Sequence, residues 1–187
     1  MLHNFRFKAI TTLLASVLLC SACQNFIPKA QGLVSSHWVA QNYQRQDQIE
    51  VQWKTHGFSF LLYQQQQGQK LEMVALSLTG QQLFKLYFDG QHVVVEQRVE
   101  PMKHLPFDYV VRDILYATYP NFVQLQAGTA VLKQQEGLQT IYIQQTPVLN
   151  IRQQENMVEL NNIQVPYQMV MSAVSNTLEN DGELNEQ

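Results

Sequence analysis

The stretch from Leu71 to Gly90, LEMVALSLTGQQLFKLYFDG, constrains this chain more than any other. It reads as two strands joined by a tip carrying Leu78, Thr79 and Gly80. Leu71, Met73 and Ala75 lie on one face of the first strand, and Val74, Leu76 and Leu78 on the other. Phe84, Leu86 and Phe88 repeat the pattern in the second strand, opposite Leu83 and Tyr87. A strand apolar on both faces requires cover on both faces, so the fold must place this hairpin inside a larger sheet or beneath another layer.

Further strands are read on both sides of the hairpin. Ile49, Val51 and Trp53 alternate with Glu50, Gln52 and Lys54, and Thr55-His56-Gly57 turns the chain into Phe58, Phe60 and Leu62. Adding 71–77, 82–89 and 92–96 gives five strands joined by short loops, an antiparallel meander. Gln64 to Gln67 is read as a polar hairpin end. From Phe107 to Tyr119 the period changes: Phe107, Val110, Val111, Ile114, Leu115 and Thr118 share a helical face, with Arg112 and Asp113 expected to point away. Pro106 suits the first turn and Pro120 ends the helix. Strands resume at 130–135, 139–145, 148–154, 157–160 and 165–172.

The N-terminus carries an address. Arg6 and Lys8 precede an apolar run from Ile10 to Leu19, followed by Ser21, Ala22 and Cys23. That is a secretion signal, too short to span a membrane. Small residues before Cys23 match a lipobox, which predicts cleavage after residue 22 and lipidation of Cys23; Cys20 stands where an aliphatic residue is usual. Residues 23–36 are read as lipidated Cys and tether, reaching about 40 Å if extended at about 3.3 Å per residue. Residues 37–178 form the folded β domain, and 179–187 an acidic tail expected to be disordered. Removing Arg6 and Lys8 with the signal leaves 10 basic against 15 acidic residues, a net charge of −5. That sign disfavours nucleic acid as a partner.

The search for chemistry finds no G-x-S-x-G elbow, H-E-x-x-H pair or glycine-rich phosphate loop. The sequence predicts no enzyme, no catalytic residues, no cofactor and no metal. Trp53, Phe58, Phe60, Leu62, Phe84, Leu86, Phe88, Val111, Ile114 and Leu115 are the candidate lining of an apolar cavity, with a dry packed core as the competing reading of the same residues.

The run VALSLTGQQLFKLYFDG, with RDILYATYP downstream, resembles a family of uncharacterised bacterial lipoproteins related to the LolA/LolB lipoprotein carriers. Members are often encoded beside aryl-polyene or related fatty-acid-type synthesis genes. The resemblance spans Ile49 to about Ser172. It implies a mainly β fold with α: a curved antiparallel sheet forming an unclosed barrel, plugged by one or more helices and enclosing space for acyl chains. It also implies a membrane-insertion loop at Leu78, Thr79 and Gly80. Gln24 after the Cys resembles outer-membrane sorting. The expected protein is therefore a lipid-anchored outer-membrane lipoprotein, facing the periplasm, which binds a hydrophobic ligand or lipoprotein acyl chains. The alternative is a non-catalytic scaffold that docks a protein partner in a membrane-associated biosynthesis or export assembly.

Overall fold

The computed structural model describes residues 29–126 and 128–174. Cys23, the signal and the tail 179–187 lie outside the described residues. Among the described residues, ten strands form one antiparallel sheet: β1 Gln44–Trp53, β2 His56–Gln67, β3 Lys70–Leu76, β4 Gln82–Phe88, β5 Val93–Arg98, β6 Ala130–Gln135, β7 Leu138–Ile143, β8 Thr146–Gln154, β9 Met157–Asn162 and β10 Tyr167–Ala173. The one α-helix among the described residues, α1, is Phe107–Thr118. The strand order is β5-β4-β3-β2-β1-β10-β9-β8-β7-β6, so the sheet does not close into a barrel. Two meanders are joined at the centre by β1 and β10, with Asp47 opposite Ala173 and Trp53 opposite Tyr167.

The sheet curls because of what it must cover. Helix α1 packs against both β5 and β9, which stand six steps apart in the strand order. At about 4.8 Å per step, a flat sheet would separate them by about 29 Å, far more than the roughly 10 Å width of a helix. One face of the curl is consequently filled by a single core that draws on both meanders and on α1.

Local chemistry explains where the elements stop. Glu136 and Gly137 both have positive φ (50° and 78°) and close a two-residue hairpin between β6 and β7. At the β3–β4 tip the Gln81 N–H donates to the Ser77 Oγ, while Gly80 takes φ +86°. The last strand begins at Tyr167 rather than Val165 because Asn162 Oδ1 accepts from the N–H groups of Gln164 and Val165, an Asx-type turn running into Pro166.

Three expectations are corrected. Gln64 to Gln67 is not a hairpin end: β2 continues through it, the turn falls at Gly68 and Gln69, and Gln64 is buried. Arg112 and Asp113 do not point away from the core. Both are fully buried, because the second face of α1 is covered by residues near the N-terminus and by the β9–β10 turn. The described part of the expected tether, residues 29–36, packs on the domain with Ala30, Leu33 and Ser35 buried.

Those N-terminal residues continue as a belt. The Ser35 N–H donates to the Gly90 carbonyl in the β4–β5 turn (2.9 Å) and its hydroxyl to the Leu125 carbonyl (2.5 Å). Trp38 donates its indole N–H to the Gln69 carbonyl in the β2–β3 turn (2.9 Å), stacks on Tyr119 and meets Phe88 edge-on. The belt thus ties together turns that the sheet's own ladder does not connect.

Candidate functional site

The residues expected to line a cavity do converge. Trp53 ends β1; Phe60 and Leu62 alternate inward on β2; Phe84, Leu86 and Phe88 do so on β4; and Val111, Ile114 and Leu115 lie on α1. Phe58 packs at the edge of this cluster, partly buried. Aromatic rings knit it together edge to face: Phe60 on Phe84 at 5.5 Å and Phe84 on Phe107 at 5.0 Å. Such contacts contribute about 0.5–1.5 kcal/mol each beyond area burial.

The space between these side chains is filled. A group facing a void wide enough for water retains accessible surface, whereas Phe60, Leu62, Phe84, Leu86, Phe88, Val111, Ile114 and Leu115 retain 2% or less. Around these eight side chains the packing leaves no room for water, and Val111, Ile114 and Leu115 bring α1 into it. Open space lies elsewhere: a depression of about 480 Å³ is lined by Asn150, Arg152, Glu159, Asn161, Gln168 and Val170, on strands β8 to β10.

The hairpin tip behaves differently. Leu78 is 64% exposed, and Thr79 and Gly80 are exposed beside it. A bulge between Ala75 and Leu76 shifts the β3–β4 register just before the tip. The hairpin buries Leu71, Met73, Ala75, Phe84, Leu86 and Phe88, yet presents a leucine to solvent at its end.

Sequence reasoning missed a polar cluster inside the fold. Asp113 accepts from Arg112 Nε (2.8 Å), from Asn162 Nδ2 on β9 (2.6 Å) and from the Tyr167 hydroxyl on β10. Arg112 Nη1 donates to the Gln31 carbonyl (3.1 Å) and to Gln164 Oε1 (2.6 Å), and its guanidinium lies over Tyr109. Burial pushes the Tyr167 phenol well above its ordinary range. A second cluster joins the end of α1 to β1 and β2: the Tyr43 hydroxyl meets Thr118 Oγ1 (2.8 Å) and Gln64 Oε1 (3.2 Å), and Gln64 Nε2 donates to Asp47 (3.3 Å). Burial pushes the Tyr43 pKa up to about 12. The only hint of the first cluster in the sequence is a charged pair within a helix otherwise rich in aromatic and aliphatic residues.

Among the described residues, no group of three or more His, Cys, Asp or Glu is placed to hold a metal ion. None of the described helices is long and apolar enough to cross a membrane.

Fold and site define a class: a mostly β domain whose large antiparallel sheet stays open, with one α-helix among the described residues packed against it. Residues 44–175, more than half of the chain, match the family described as Protein of unknown function (DUF3261), and the chain belongs to that family. No curated protein matches it.

Proposed function

We propose that this chain is a lipid-anchored, non-catalytic outer-membrane protein facing the periplasm. It takes an apolar ligand, lipoprotein acyl chains or a polyene-type lipid, beneath α1 and transfers or presents it at the membrane. In this reading the fold is LolA/LolB-like and α1 is its plug. One observation supports it above others. The apolar side chains of β1, β2 and β4 converge beneath α1, and among the described residues no backbone hydrogen bond ties α1 to a strand. Side-chain contacts alone hold the helix on the sheet, so moving it would open an apolar trough without breaking the ladder.

Leu78 suits the transfer step. A single Leu placed in a bilayer contributes only about 0.5 kcal/mol, too little to hold a protein there. The lipid at Cys23 would anchor, at about 0.8 kcal/mol per buried methylene, and Leu78 would guide.

The filled core favours a second reading, the scaffold that docks a protein partner and carries no ligand. Native mass spectrometry of the chain secreted with Cys23→Ser, followed by titration with a fluorescent fatty acid, separates the two. Retained lipid displaced one for one by the probe supports the carrier, and Leu78→Glu should then impair delivery to vesicles more than binding. A clean apo mass without saturable binding overturns the carrier and leaves the scaffold.

A further inference from the structure

We infer that residues 29–38 are a detachable belt that locks α1 onto the sheet, so that belt and helix open as one unit. The belt is bonded to the helix directly. Arg112 Nη1 donates to the Gln31 carbonyl, and the Tyr116 hydroxyl donates to the Gly32 carbonyl at 3.0 Å. The same guanidinium binds Gln164 in the β9–β10 turn, and Gln164 Nε2 reaches Gln31 Oε1 at 3.4 Å. Beyond the helix, the belt is fastened at Gly90, Leu125 and Gln69.

Two glycines mark where it seats. At Gly32, φ +76°, a Cβ would meet Ile143 Cδ1 at 2.5 Å and Tyr116 Oη at 2.8 Å. At Gly90, φ +94°, a Cβ would meet Trp38 Cβ and Cγ at 2.5 Å. One glycine lies in the belt and the other beneath it. Each lacks a side chain where the belt and its seat make closest approach, and each holds a backbone conformation that suits glycine. Close fit at both ends indicates a docked element. Hydrogen bonds to a few backbone carbonyls, in place of strand pairing, make it one that can leave as a unit. Arg112 supplies the coupling. With the belt gone, Nη1 keeps only Gln164 of its two acceptors, Nη2 has no acceptor among the described residues even with the belt in place, and the helix loses the polar fastening on its outer face. What the opening serves rests on the ligand-binding reading above; the coupling itself does not.

Hydrogen exchange on the whole chain as isolated tests the coupling. Gly32→Ala and Gly90→Ala should each raise exchange of the α1 amides by at least about tenfold, since strain of this kind shifts a local opening equilibrium by that order. The paired β1 and β10 amides should be unchanged. An oxidised Gln31→Cys/Gln164→Cys pair should lower α1 exchange, and reduction should restore it. Loosened belt amides over an unchanged α1, or a cross-link without effect on α1, would overturn the inference. If either glycine variant fails to fold, the cross-linked pair decides alone. Fatty-acid titration of the same pair keeps the two readings apart. Coupling without binding in either redox state sinks the ligand and leaves the belt. Binding indifferent to the cross-link, with no change in α1 exchange, sinks the belt and leaves the ligand.

Discussion

Arg112 and Asp113, adjacent in sequence, are buried together, and neither is tolerable there without the other. Removing one partner of a buried ion pair typically costs about 3–5 kcal/mol, because the remaining charge keeps its desolvation penalty. Arg112→Met should therefore destabilise by about that amount, and the Arg112→Met/Asp113→Leu double variant by less than the sum of the single changes, by at least about 1 kcal/mol. Urea denaturation of the four proteins measures this; additivity would show that the pair acts as two separate groups. Tyr43 makes a prediction about pH. Its pKa rises from 10.0 to about 12 on folding, so the folded state keeps a proton that the unfolded state releases between those values. Its contribution is complete below pH 10 and is lost as pH climbs through 12, about 2–3 kcal/mol over the interval. Tyr43→Phe should flatten the stability curve in that window while leaving its shape below pH 9 intact, as alkaline urea titrations would show.

At the scale of elements, the hairpin β3–β4 and the helix α1 have opposite sensitivities. Ile114 is buried at the centre of α1, and Ile114→Ala should cost about 2–5 kcal/mol. Leu78→Glu, at an exposed tip, should change stability by no more than about 0.5 kcal/mol. Thermal unfolding of both variants checks the contrast. A large loss from Leu78→Glu would place the tip in the core's packing and remove it as a surface device. Both elements were legible in the sequence because their apolar residues recur with periods of two and 3.6, which survive without knowledge of neighbours. The polar clusters were not legible. Gln31 is 81 positions from Arg112, and Asn162 and Tyr167 are 49 and 54 from Asp113. A charged residue reads as solvated until something distant covers it. Gln64 hid in the same way, inside a run of glutamines of which it alone is buried. The candidate lining residues fall in one core cluster, Phe58 only partly buried, yet whether such residues enclose space or fill it depends on interlocking shape, which periodicity does not carry.

For the whole molecule, the governing feature is that the sheet's first strand pairs with its last. β1 meets β10 at the centre of the strand order, with Asp47 beside Ala173 and Val51 beside Met169. A chain made from its N-terminus completes β1 to β5 early, but that half-sheet presents the open edge of β1, with Ile49, Val51 and Trp53 on its core face, until the final strand emerges. Loop closure over such a separation is slow, and an unpaired apolar edge is a hazard while it waits. Synthesis of this protein therefore carries a built-in delay: the seam at the centre of the sheet can be sewn only after β10, Tyr167–Ala173, has come through.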